Sequence, residues 1–250
     1  RMAESAVVVA AQRLAADDAR WPESARAAFA TLGGAPVGAS GGRPPGPITH
    51  APNTTQGKVE SVGIIGDPAL LGTPALAFFC STRCPGGVIL GIFDLAATLR
   101  AAGVPVVSGF HSPLEQELLR LLLRGRQPIL ICPARSVDAM RIPQTWRPAI
   151  AAGRLAVVAP FAAQQRRPTA ATVARRNACA LALAGAVLFA HAAPGGKTER
   201  LALDTLAAAT IPVFTLADPD NAPLVAAGAQ AIRPNDIAPL LATLSAGRSA

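Results

Sequence analysis

From residue 59 onward the chain alternates between short, fully apolar runs and longer segments with helical spacing. The apolar runs fall at 76–80, 104–107, 129–132, 155–159, 186–189 and 211–214. Between them, the segments 89–102, 114–124, 145–152, 169–183 and 198–208 repeat apolar residues three and four apart, so each predicts a helix. A strand that is apolar on both faces must be covered on both faces, as in a parallel sheet held between two helix layers. About six such strands make one doubly wound α/β domain, a mostly parallel sheet with helices on both faces. The stretch 224–246 supplies a closing strand or helices, and no internal repeat is visible.

The first part of the chain reads differently. Residues 3–32 are Ala-rich and predict helix, interrupted at Trp21-Pro22. Residues 33–57 carry Gly, Pro and Ser with no apolar period and predict a linker or a loosely ordered strap. The expected organisation is therefore a helical segment and Gly/Pro-rich linker over 1–58, then the α/β domain over 59–250. Charges run through the first apolar stretch, which predicts no signal peptide. No apolar run reaches a membrane-spanning length either. A cytoplasmic protein with no membrane partner is expected, and in that setting the glycosylation spacing at Asn53-Thr54-Thr55 carries no meaning.

Composition narrows what such a domain can bind. Of 250 residues 51% are hydrophobic, many of them alanine, and only 4% are aromatic, with no tyrosine. Small side chains suit close helix-on-sheet packing. So few rings disfavour a platform on which bases stack, so any nucleic-acid contact must rest on phosphates. The formal net charge is +8, and lysine stands only at Lys58 and Lys197, so nearly all the cationic charge is arginine. Arginine's planar fork matches phosphate, and a basic excess attracts polyanions; an arginine-rich codon preference gives the same bias. Cys80, Cys84, Cys132 and Cys179 show no CxxC pair, and the three histidines are scattered. Neither a metal nor another cofactor is expected, and the cysteines read as buried free thiols.

Ligands of doubly wound sheets bind beyond the carboxyl ends of the strands, where helix N-termini face the crevice. After the first apolar run stands Cys80-Ser81-Thr82-Arg83-Cys84-Pro85-Gly86-Gly87, an anion loop in composition or else a polar turn with an incidental arginine. After the second stands Ser108-Gly109-Phe110-His111-Ser112-Pro113-Leu114-Glu115. There Ser112 can cap a helix with Pro113 at its first position, and Gly109 admits a ligand to the backbone. His111 and Glu115 form either an acid–base pair or a structural one. Arg175-Arg176-Asn177 is a polar insertion in an Ala/Leu helix, either a solvated face or a ligand contact. After the fifth run, Pro194-Gly195-Gly196-Lys197-Thr198-Glu199 opens a helix, the context of a phosphate loop. The Walker pattern needs glycine where His191 stands, which argues against ATP hydrolysis. Asp218-Pro219-Asp220-Asn221 is turn chemistry. Arg124, Arg126, Arg141, Arg147 and Arg154 extend a basic surface or solvate helix ends.

Taken together, these segments resemble the DprA/Smf family of DNA-processing proteins over about 62–217. Cys80–Arg83 sits where the family has Gly-Ser-Arg, and Val106-Val107-Ser108-Gly109 matches its Val-Val-Ser-Gly. Glu115 falls where a Gly-Ile-Asp motif places its aspartate, with His-Ser-Pro-Leu-Glu replacing that core. Arg176-Asn177 followed by Leu183-Ala184-Gly185-Ala186-Val187-Leu188 is similar to the family's Arg-Asn-Arg segment. Gly195-Gly196-Lys197-Thr198 takes the place of its Ser-Gly-Ser loop.

The resemblance implies a Rossmann-like fold, single-stranded DNA as partner, and a recombinase that the family loads during transformation. On that view Ser81, Thr82, Arg83, Ser108, Gly109, Arg176, Asn177, Gly195, Gly196, Lys197 and Thr198 form the phosphate and nucleic-acid site. A second reading comes from the same superfamily. Pro194–Glu199 is similar to a shortened Pro-Gly-Gly-x-Gly-Thr-x-x-Glu motif of nucleoside-monophosphate phosphoribohydrolases, which cleave an N-glycosidic bond. Under that alternative Arg176 holds the phosphate of a mononucleotide, and Glu199, Glu115 and His111 are the catalytic candidates. A nucleotide sensor without turnover is a third reading, and a second copy of the chain is a candidate partner.

Overall fold

The computed structural model describes residues 10–32, 59, 61–138 and 140–246. The chain opens with strand β1 (Gln12–Ala15) and helix α1 (Glu23–Thr31), then β2 (Ser61–Ile65) and a 3-10 turn at Pro68–Gly72. A regular alternation follows: β3 (Ala75–Cys80), α2 (Gly86–Ala101), β4 (Val106–Ser108), α3 (Pro113–Leu122), β5 (Ile129–Ile131), α4 (Arg147–Ala151) and β6 (Leu155–Ala159). It continues through α5 (Ala170–Ala182), β7 (Ala184–His191), α6 (Lys197–Ala208), β8 (Val213–Leu216), a 3-10 turn at Pro219–Asn221, α7 (Ala222–Ala226), β9 (Gln230–Ile232) and α8 (Ala238–Ala246). The strands form one nine-stranded sheet in the order β1-β2-β6-β5-β4-β3-β7-β8-β9. From β6 to β9 every pairing is parallel, and β2 and β1 add an antiparallel edge. The doubly wound α/β expectation holds.

This order locates the crevice. After β3 the chain steps outward through β4, β5 and β6, then returns to place β7 on the other side of β3. Right-handed crossovers on the two sides of a sheet must lie on opposite faces. The packing shows it: β3 sends Leu76, Phe78 and Cys80 into one cluster with α2, α3, α4 and α8. It sends Ala75, Ala77 and Phe79 into the other with α1, α5, α6 and α7. Strands buried on both faces explain the unbroken apolar runs. The strand order reverses between β3 and β7, so their carboxyl ends, Cys80 and His191, border the switch-point crevice.

Helix starts follow local chemistry. Ser112 accepts from the Glu115 amide at 3.3 Å while the Glu115 carboxylate accepts from the Ser112 amide, a capping box with Pro113 in the first turn of α3. Thr169 and Thr172 form the equivalent box at α5.

The helix expected over 3–32 needs correction. Gln12–Ala15 is an edge strand, antiparallel to Ser61–Ile65, and helix is confined to Glu23–Thr31 among the described residues. Four residues of mixed polarity carry no strand signal of their own, and a remote partner decides their conformation. Arg13 on β1 then ties this edge to the loop after β5. It donates to Ser61 Oγ at 3.2 Å, Ser136 Oγ at 2.9 Å, the Phe161 carbonyl at 3.0 Å and both Asp138 oxygens. The guanidinium holds the Asp138 carboxyl below the usual carboxylate range. Trp21 anchors the turn to α1, donating to the Ala15 carbonyl at 2.8 Å and packing edge-on against Phe29 at 5.2 Å. The expected linker, with His50, Asn53-Thr54-Thr55 and Lys58, lies outside the described residues. No helix among the described residues is long and apolar enough to cross a membrane.

Candidate functional site

Two groups of side chains gather at the carboxyl edge. The first is built on the turn after β4. Ser108 is fully buried, with its hydroxyl donating to the Phe78 carbonyl at 2.8 Å and accepting from the Phe110 amide at 3.3 Å. The hydroxyl's proton and one of its lone pairs are used inside the fold, so Ser108 shapes the turn. Phe110 sits in the left-handed region at φ 46, a conformation that costs a non-glycine residue roughly 1–3 kcal/mol and that surrounding contacts must enforce. The backbone thereby turns so that the amides of His111 and Ser112 meet Glu115 Oε2 at 3.0 and 3.3 Å. Glu115 Oε1 accepts from the Cys80 amide at 3.3 Å, tying the end of β3 to α3. A carboxylate only 2% exposed is thus held by three backbone amides.

Arg176 reaches this turn from α5, on the opposite face of the sheet. It is 2% exposed, and burial pulls its guanidinium below the usual arginine range while the Glu115 charge opposes that shift. A Cβ added to Gly109 would lie 1.8 Å from Arg176 Nη1, so the arginine occupies the space that glycine leaves open. Arg176 Nη1 lies 3.1 Å from His111 Nδ1, and the same ring nitrogen lies 3.1 Å from Glu115 Oε2. One nitrogen serves only one of these partners. Arginine always donates, so a neutral His111 accepts at Nδ1 and carries its proton on the outward Nε2. Arg176 Nε and Asn177 Oδ1 are buried and have no hydrogen-bond partner among the described residues. Buried guanidinium nitrogens without a partner also occur at Arg100 Nε and Arg154 Nη1, so what sets Arg176 apart is its place beside Gly109, His111 and Glu115 at the carboxyl edge.

The second group lies on the loops after β3 and β7. Ser81 is 7% exposed; its amide donates to the His191 carbonyl at 3.0 Å, and its hydroxyl accepts from the Ala193 amide at 2.9 Å. The two loops at the switch point are therefore stitched together by one residue. Gly195 takes φ 70, a left-handed turn suited to glycine, and donates to Glu199 Oε2 at 2.7 Å. Glu199 is thus the internal anion of its own loop, and the Gly196 amide is likewise used, by the Ala193 carbonyl at 3.0 Å. The amides of Lys197 to Glu199, at the start of α6, have no intrahelical acceptor. Thr82, Arg83 and Lys197 are exposed, Thr198 is half-buried, and neither Arg83 nor Lys197 has a hydrogen bond or ion pair among the described residues.

The structure thus joins Gly109, Arg176, His111 and Glu115 in one cluster, and Ser81 with the Gly195-Gly196 loop in another, both at the carboxyl edge. Other arginines fall elsewhere. Arg124, Arg126 and Arg154 precede β5 and β6, which puts them at the amino-terminal edge of the sheet, away from this site. Arg154 donates through Nη2 to the Leu123 carbonyl at 2.7 Å, and its buried Nη1 has no hydrogen-bond partner among the described residues. Asp218 is used locally, accepting from the Asp220 amide at 2.9 Å.

One pair escaped sequence reasoning. His191 Nδ1 lies 3.0 Å from Asn221 Oδ1, and the Asn221 amide donates to the Ala190 and Leu216 carbonyls at 2.8 and 3.0 Å. Asn221 must then accept through Oδ1, which fixes the proton on His191 Nδ1. Thirty residues separate the two, and no spacing in the sequence signals such a pair.

No protein-family model and no curated protein sequence matches the chain. Among solved structures, it is similar to DNA processing protein A from Helicobacter pylori, in a structure concerning that protein's single-stranded DNA binding mode. There the TM-score is 0.61 at 18% identity, covering 80% of this chain and 95% of that one. It is also similar to DNA processing protein A (DprA) from Streptococcus pneumoniae, with TM-score 0.56 and 16% identity, over 71% of this chain and 65% of the pneumococcal one. The chain thus has the fold of these DNA processing proteins, and its match spans slightly under two thirds of the pneumococcal protein.

Proposed function

We propose that this chain holds single-stranded DNA by its phosphates at the carboxyl edge of the sheet, in a DNA-processing role like that of the proteins whose fold it has. The observation that carries the reading is Arg176: a buried guanidinium with an unspent Nε, seated where Gly109 has no side chain, beside the outward donor of His111. Arg83 and Lys197, exposed on the neighbouring loops, extend the positive charge toward a strand, and the net charge of +8 favours any polyanion. Thr82, Asn177, Thr198 and the free amides at the start of α6 complete the proposed contact surface, with Gly195 and Gly196 shaping the loop that presents them. The scarcity of aromatic rings makes phosphates, not bases, the handle.

Both carboxylates that a glycosidic hydrolase would need are engaged by backbone amides, Glu115 by three and Glu199 by Gly195. Binding without turnover is the expected behaviour. The test is a fluorescence-anisotropy titration of a labelled oligo-dT strand across a salt series. Binding should weaken steeply with salt. Arg176→Ala should cost at least about tenfold, the weight of one charge-assisted hydrogen bond. Arg176→Lys, which keeps the charge and fills the site, should lie between the two. No binding at low salt, or release of free base from a nucleoside monophosphate, would overturn the reading.

A further inference from the structure

The anion loop after β3 begins and ends in a cysteine. Cys80 closes β3 and Cys84 stands two residues before α2, so the pair brackets Ser81, Thr82 and Arg83 and nothing else. Their sulfurs are 3.8 Å apart, in van der Waals contact, whereas a disulfide bond measures about 2.05 Å. All four cysteines are free, but only this pair combines contact with access: Cys84 is half-buried, while Cys132 and Cys179 are buried completely.

We propose that Cys80 and Cys84 form a reversible thiol–disulfide couple, oxidised by small disulfides of the glutathione class, that sets the charge and rigidity of the Ser81–Arg83 loop. The Sγ–Sγ contact and the unequal exposure assign the roles. Cys84 is the attacking sulfur. It is reachable, and the Cys80 thiol donates to it, which lowers it below the usual thiol range. Asp218 and Asp220 oppose that effect without reversing it. Cys80 is the resolving sulfur. Its hydrogen bond to Cys84 and its burial, with a smaller push from the Glu115 charge, hold its thiol well above the usual range and keep it protonated until the first step is complete.

The chemistry balances in two exchanges. The Cys84 thiolate attacks one sulfur of the small disulfide, forming a mixed disulfide and expelling one thiolate. Cys80 passes its proton to that leaving thiolate and attacks Cys84 Sγ, expelling the second. The net change is two protein thiols and one small disulfide giving one protein disulfide and two small thiols, and excess thiol reverses it. Oxidation also replaces the Cys84 thiol–thiolate equilibrium, which the Cys80 thiol shifts toward thiolate, with a neutral disulfide at the mouth of the loop. The oxidised form should therefore bind phosphate more tightly, by about two- to fivefold, the size of a helix-terminus charge interaction.

This consequence for binding rests on the proposed function, whereas the couple itself does not, and the experiment separates them. The whole chain is equilibrated with reduced and oxidised glutathione, trapped by alkylation and peptide-mapped; the same samples are titrated with labelled oligo-dT. The expected result is a Cys80–Cys84 disulfide that excess thiol reverses, with Cys132 and Cys179 alkylated only after unfolding. Oligonucleotide affinity should rise two- to fivefold, and Cys84→Ser should abolish both effects. A pair that stays reduced, or stops at a mixed disulfide on Cys84, overturns the couple. A disulfide that forms without raising affinity overturns its control of the loop. If neither form binds the oligonucleotide, the nucleic-acid reading fails while the peptide map still decides the couple.

Discussion

The two halves of the carboxyl edge hold their charged groups in opposite ways. Around Gly109 the charged groups are buried: Glu115 and Arg176 are each 2% exposed and are held by backbone amides and by His111. Around Gly195 the cations stand in solvent, with the Arg83 and Lys197 side chains uncommitted among the described residues. Buried charges are positioned before a ligand arrives, but their geometry is inseparable from the stability of the fold. Exposed charges attract over distance and cost nothing to fold, yet must be ordered by the ligand. The contrast predicts that substitutions on the first side reduce stability and binding together, and on the second side binding alone.

Glu115→Ala should show the largest effect. Three amides lose their acceptor and Arg176 loses its opposing charge, a loss of about 3–5 kcal/mol measurable by urea unfolding. An unchanged unfolding midpoint would mean that the cluster is not structural. Gly109→Ala comes next. Its Cβ collides with the Arg176 guanidinium, so stability should drop by about 1–3 kcal/mol, the usual cost of overpacking. Oligonucleotide affinity should fall with it, and Gly109→Ala combined with Arg176→Ala should recover part of the stability. Lys197→Ala and Arg83→Ala should be smallest in stability, each within about 0.5 kcal/mol of the parent. Each should still lower the salt slope of oligonucleotide binding by about 1. A stability loss there as large as that of Gly109→Ala would erase the distinction between the two sides.

What the sequence revealed divides along similar lines. The central strands and the main helices were legible because each carries its own pattern, such as the continuous apolar run of β6 or the Ser112-Pro113 start of α3. β1 and β2 were not, and β9 was legible only as a closing strand or helices somewhere within 224–246. Gln12–Ala15 and Gln230–Ile232 are short, edge-bound and partly polar, and their state is set by partners far along the chain. At the site, the glycine loops and the arginines announced themselves by composition. The role of Glu115 as an amide acceptor did not, because it arises from a turn that places Phe110 at positive φ. The meeting of Arg176 with His111, 65 residues apart, was equally hidden and depends on which face of the sheet each helix covers.

The antiparallel edge has a consequence for how the chain can be divided. β1 and α1 are joined to the rest through side-by-side pairing, the Arg13 network and the packing of Trp21 and Phe29, all independent of the path the backbone takes between residues 33 and 58. A cut within that stretch should leave a two-piece molecule that holds together by complementation. Deleting residues 10–32 outright should instead bare the β2 edge as a template for aggregation.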